Sequence, residues 1–180
     1  MKALLLVDIQ NDFTPGSPGG ALAVPNGDEV IAVANRLMPM YDLVVATQDW
    51  HPKGHKSFAS EHAGHNVGDI INWGGLDQVL WPDHCVQGTP GAEFCPDLNT
   101  QGINEVVRKG TDPDIDSYSG FYDNGHRKAT GLTGLLQSRG VTEVDVMGLA
   151  TDYCVKFTAL DAVREGFTTR VILEGCRGVS

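Results

Sequence analysis

Cys154, Asp8 and Lys109 are three residue types that together can break an acyl bond. A thiol attacks a carbonyl carbon, a carboxylate takes the thiol proton and returns it to a leaving group, and an ammonium steadies negative charge. Cys154 opens a helical pattern directly after an apolar run, and a helix N-terminus favours a thiolate. Asp152, two residues earlier, opposes this if it points inward. A lone cysteine in a helix is more often a small buried apolar residue. Cys85, Cys95 and Cys176 keep that reading. No two cysteines have C-x-x-C spacing, so a zinc ribbon or thioredoxin-type motif is excluded.

A second cluster is Asp49-Trp50-His51. In extended backbone, residues two apart face the same side, so carboxylate and imidazole can converge on one ion. His84, in Trp81-Pro82-Asp83-His84-Cys85, is the best third ligand. His55, His62 and His65 compete with it. One Asp and two His suit Zn²⁺ first, with Fe²⁺ or Mn²⁺ as alternatives.

These side chains need strand ends to hold them. Short apolar runs cover Lys2 to Val7, Leu43 to Thr47, Glu105 to Arg108, Glu143 to Gly148 and Thr169 to Leu173. Helical patterns cover about Asp28 to Met38, Thr130 to Ser138 and Asp152 to Arg164, with Gly140 and Gly166 as stops. The alternation predicts a three-layer α/β fold: a doubly wound, mostly parallel sheet with helices on both faces. Right-handed crossovers bring the strand carboxyl ends to one edge, where such folds place ligands. Asp8, Asp49, Lys109 and the Thr151–Cys154 segment all fall at predicted strand ends. The stretch from His51 to Asn104 is expected to be irregular, holding the metal site and a lid.

The chain has 180 residues, enough for one domain with a sizeable core. Its net charge of −10 makes nucleic acid and anionic membrane surfaces poor partners. The first apolar run, Ala3 to Val7, is too short for a signal or a span. A cytoplasmic protein acting on a small molecule is expected, and a homo-oligomer is compatible with the sequence.

The same residues carry a family resemblance. Val7-Asp8-Ile9-Gln10-Asn11-Asp12-Phe13 resembles the opening motif of the cysteine-hydrolase superfamily that includes isochorismatases. Thr47-Gln48-Asp49-Trp50-His51-Pro52, Trp81 to Cys85, Arg108-Lys109-Gly110 and Gly148 to Val155 resemble the nicotinamidases within it. The resemblance implies hydrolysis of nicotinamide to nicotinate and ammonia in NAD salvage, with pyrazinamide as a side substrate. It implies Asp8, Lys109 and Cys154 as the triad and Asp49, His51 and His84 as metal ligands. Phe13, Trp81 and Tyr153 would sandwich the ring. A non-proline cis bond is implied at Ala150–Thr151, with the backbone N–H groups of Ala150 and Cys154 as the oxyanion hole. A further metal contact stays open between Ser57, His55 and Ser60. The family's C-terminal strand and helix are expected to be absent from this sequence. The rival reading is another amidase of the superfamily acting on a non-aromatic amide, against which the aromatic residues argue.

Overall fold

The computed structural model describes residues 1–16 and 19–180. Five strands form one sheet in the order β5-β2-β1-β6-β7. They are β1 (Lys2–Val7), β2 (Leu43–Asp49), β5 (Glu105–Lys109), β6 (Glu143–Leu149) and β7 (Thr168–Arg177). Every neighbouring pair is parallel. β1 lies at the centre, and Ala3 to Val7 are buried on both faces, which is why its apolar run is continuous rather than alternating.

Three helices cover the sheet: α1 (Val30–Leu37), α2 (Leu132–Ser138) and α3 (Lys156–Arg164). The chain leaves β1 towards β2 through α1 and leaves β6 in the opposite direction towards β7 through α3. Right-handed crossovers therefore put α1 and α3 on opposite faces. β1 is the point where strand order reverses, and the crevice beside it is where this architecture binds ligands.

Several boundaries differ from the sequence expectation. β2 and β5 run on to include Asp49 and Lys109 as their last residues. β7 runs past Leu173, because its pairing with β6 shifts register after Val146–Val171 and resumes at Gly148–Cys176. Within the segment expected to be irregular, β3 (Ile70–Trp73) and β4 (Leu76–Val79) form an antiparallel hairpin around Gly74-Gly75. The glycines that read as irregular are its turn, both with positive φ. No helix among the described residues is long and apolar enough to cross a membrane.

Candidate active site

Asp8 is the first residue past β1, at a φ of 51° that non-glycine residues seldom adopt. Thr47 on β2 holds it there. The Asp8 N–H donates to Thr47 Oγ1 at 3.2 Å, and that hydroxyl donates to Asp8 Oδ1 at 2.6 Å. The second oxygen, Oδ2, faces the site.

Lys109 ends the edge strand β5, not a strand next to β6. Two strands, β2 and β1, lie between, each about 4.8 Å from the next. A long side chain is needed to cross that gap. Fully buried, Nζ lies 2.8 Å from Asp8 Oδ2, 3.2 Å from Asp49 Oδ1 and 3.4 Å from Cys154 Sγ, and it donates to the Ser117 carbonyl at 2.9 Å. Two carboxylates thus share one ammonium.

Cys154 sits in a π-helical turn, Thr151–Val155, ahead of α3. The cis bond of this region is Leu149–Ala150, not Ala150–Thr151. β6 ends at Leu149, so the chain turns off the strand at the first bond past it. Asp152 points away from the thiol and accepts the N–H groups of Val179 and Ser180 at 2.9 and 3.2 Å. Its expected opposition to the thiolate therefore does not arise from an inward carboxylate.

The electrostatics correct the thiolate expectation. Burial pushes the Cys154 thiol well above its usual range; Lys109 pulls it down, but Asp8 and Asp49 add to the rise. Burial also lifts the Asp8 carboxyl, against the pull of Lys109, with Asp49 adding to the lift. For Lys109, burial favours the neutral amine, yet Asp49, Asp8 and Cys154 outweigh it and keep the ammonium. At rest the thiol is protonated beside a carboxylate that can accept its proton. Asp8 Oδ2 is also a buried atom without a directed hydrogen bond, since Lys109 approaches it as an ion pair.

Asp49, His51 and His84 converge alongside and are all buried. His51 Nδ1 lies 2.8 Å from the Gly110 carbonyl, and His84 Nδ1 lies 2.7 Å from the Pro82 carbonyl. A carbonyl only accepts, so both Nδ1 atoms carry the proton. That leaves both Nε2 atoms facing Asp49 Oδ2, at 3.0 and 3.4 Å. His51 Nε2 makes no directed hydrogen bond despite full burial. Two imidazoles with their Nδ1–H tied to carbonyls and Nε2 turned to one carboxylate fit a divalent cation. In the cation's absence burial opposes an imidazolium at His51, but Asp49 outweighs it and raises the pKa to about 9.

The open ligand positions are narrowed. His55 Nδ1 accepts the Ser57 N–H at 3.1 Å, while Nε2 lies 3.2 Å from the Ile115 carbonyl, so neither nitrogen is free. Ser60 Oγ is taken by Asp83 Oδ1 at 2.5 Å. Ser57 Oγ, buried and 2.7 Å from His55 Nδ1, donates there and keeps its lone pairs. His62 lies against the Lys56 carbonyl and His65 beside Asp69, apart from the cluster.

Gly110 holds the cluster's other side. At its φ of +65°, a Cβ would stand 2.5 Å from His51 Cε1 and 3.0 Å from Asp49 Oδ1. Gly110→Ala is therefore expected to displace His51 and reduce bound metal by at least about tenfold, as lost support around a ligand commonly does. Metal analysis of the folded variant after dialysis checks this; full occupancy would contradict it.

Above Cys154 lies a pocket lined by Phe13, Trp81, Tyr153, Tyr118, Leu22, Val24 and Val179, with Asp49, His84 and Asp116 on its polar side. Trp81 stands edge-on to Tyr153 at 4.9 Å and its indole N–H donates to the Tyr118 hydroxyl at 3.2 Å. Phe13 meets His84 edge-on at 5.6 Å. Tyr118, Asp116 and the Leu22–Val24 wall have no counterpart in the sequence reading. Tyr118 sits in a loop without periodicity; its one signal is an aromatic residue amid Ser and Gly soon after Lys109.

A parallel α/β sheet with a buried Cys–Asp–Lys set at its carboxyl edge defines a cysteine-hydrolase type of site. The isochorismatase domain model matches residues 2–180, and the chain belongs to that family. It is 51% identical to the nicotinamidase of Escherichia coli K12, over 99% of this chain and 84% of that one. The structure of an Acinetobacter baumannii nicotinamidase/pyrazinamidase superposes with a TM-score of 0.96 at 50% identity, covering 99% of this chain and 85% of that one. The Pyrococcus horikoshii pyrazinamidase in complex with zinc gives 0.78 at 39% identity, covering 99% and 87%.

Proposed function

We propose that this chain is an amidase that hydrolyses nicotinamide to nicotinate and ammonia through a thioester on Cys154. The carrying observation is the Lys109 ammonium, 2.8 Å from Asp8 and 3.4 Å from the sulfur of Cys154, the triad member that lines the aromatic pocket. Likeness to nicotinamidases over nearly the whole chain supports the substrate.

The pyridine ring enters between Phe13, Trp81 and Tyr153, with its carboxamide towards Cys154. Asp8 takes the thiol proton as sulfur attacks the carbonyl carbon. The N–H groups of Ala150 and Cys154 receive the oxyanion. Asp8 then delivers its proton to the departing nitrogen, and ammonia leaves. Next, Asp8 draws a proton from water, whose oxygen attacks the thioester. The thiol departs and regains its proton, and nicotinate is released. A carboxyl raised by burial suits both taking and giving this proton. Lys109 keeps its charge throughout and holds Asp8 against sulfur.

Asp49, His51 and His84 would hold one divalent ion, Zn²⁺ by their ligand chemistry, with Ser57 as the further protein contact. When bound, the ion supplies a positive centre that orients and polarises the ring nitrogen. Asp49 also pairs with Lys109, so the ligand cluster and the triad are electrostatically joined.

Ammonia release from metal-replete protein tests the reading. Nicotinamide and pyrazinamide are expected to turn over, and benzamide, lacking the ring nitrogen, is expected to be poor. Turnover of linear aliphatic amides in preference to nicotinamide would sink the assignment. We propose NAD salvage in the cytoplasm as the setting of this reaction.

A further inference from the structure

Asp12 does not line the pocket, and the proposed chemistry does not use it. Yet the segments that carry His84 and the Leu22–Val24 wall both meet at Asp12, through its side chain and its backbone. Oδ2 accepts the Cys85 N–H at 2.7 Å, and Oδ1 accepts the Ala21 N–H at 3.2 Å. The Asp12 carbonyl accepts the Leu22 N–H at 2.9 Å, and the next carbonyl, that of Phe13, accepts the Val24 N–H at 3.0 Å. Gly91 packs so closely that a Cβ there would stand 2.1 Å from Oδ2. Of the residues so tied, Phe13, Leu22 and Val24 line the pocket.

The bond to Cys85 matters most. Cys85 directly follows His84 and has a φ of 46°, left-handed backbone that a residue with a Cβ disfavours. Such a conformation persists where the surroundings over-determine it. Here the Cys85 carbonyl accepts the His51 N–H at 2.9 Å, while its N–H is held by a carboxylate, a stronger acceptor than a neutral group. The backbone after His84 is thus fixed on one side by His51 and on the other by Asp12.

We infer that Asp12 is a positioning residue: its carboxylate locks the left-handed turn at Cys85, and so the direction of His84 Nε2, while its other oxygen holds Ala21, the residue that leads into the Leu22–Val24 wall. The inference rests on His84 being a metal ligand. It makes Asp12 the joint between metal site and aromatic pocket.

The test compares the parent, Asp12→Ala, Asp12→Asn and His84→Ala. Zn²⁺ affinity is read by competition with a chromophoric chelator, and kcat and KM are read with nicotinamide. Asp12→Ala is expected to weaken Zn²⁺ roughly 10–100-fold, the range for residues that orient ligands, and to raise KM. Asp12→Asn keeps one accepting oxygen for Cys85 and turns an N–H₂ towards Ala21. It is expected to restore most of the Zn²⁺ affinity while KM stays raised. A folded Asp12→Ala protein with the parent's Zn²⁺ affinity overturns the inference. So does equal thermal destabilisation of both metal-free variants with no difference in Zn²⁺ binding, the mark of a merely structural role. If Asp12→Ala does not fold, Asp12→Asn decides, and a parent-like KM overturns. Failure of the functional reading is visible separately: a parent that binds Zn²⁺ without releasing ammonia leaves the zinc comparison intact. A parent whose Zn²⁺ binding survives His84→Ala removes the basis of the inference itself.

Discussion

Cys154→Ala is expected to reduce ammonia release from nicotinamide by at least about 10⁴-fold, on the scale of losing a covalent nucleophile. Among the described residues, Cys154 is the cysteine whose sulfur Lys109 Nζ contacts, at 3.4 Å. Ring binding should survive, because Phe13, Trp81 and Tyr153 form the pocket walls without help from the thiol. Stability should change little, as the substitution trades one small buried apolar group for another. The measurement pairs steady-state ammonia release with nicotinate binding by calorimetry. Turnover within tenfold of the parent would refute the nucleophile assignment.

Lys109→Met has a different signature. It removes the ammonium that bridges Asp8 and Asp49, both buried. Breaking a buried pair by deleting one partner typically costs ~3–5 kcal/mol, because the remaining charge is left uncompensated. Turnover should fall at least ~10²-fold, as for loss of a preorganised electrostatic partner.

The stability loss should depend on pH in a definite direction. The folded Asp8 carboxyl is already raised above its unfolded value by burial, although Lys109 restrains the rise. Without Lys109 it rises further. Between the unfolded and folded values the folded state holds a proton that the unfolded state has released, so stability falls as pH climbs through that window. The gap between metal-free parent and variant is therefore smallest near the unfolded carboxyl's own range and widens as pH rises. Denaturant unfolding at pH 5 and pH 8 reads it, and a pH-independent gap would contradict the buried-carboxylate account.

Much of this protein is written locally in the chain. The β1 run ending in Asp8, and the β6 run leading to Cys154, declare the parallel sheet and its carboxyl edge through apolar continuity and strand-end chemistry. Spacing alone puts Asp49 and His51 on one side of extended backbone. Short-range patterns are readable because they depend on the strand period and on neighbours in sequence.

Tertiary structure decided what depends on distant partners. Whether Cys154 rests as thiol or thiolate is set by burial and by Asp8 and Asp49, not by the helix start next to it. The reach of Lys109 across two strands depends on strand order, which periodicity does not encode. Tyr118 joins the pocket because its loop packs against Trp81, and His55 is disqualified as a ligand by a hydrogen bond from Ser57. Asp12 reads as one more residue of a motif until the fold brings Cys85 to it from 73 positions away. Local propensity fixes which side chains stand at the sheet edge; proton positions, ligand choice and the joint at Asp12 come from groups that only folding brings into contact.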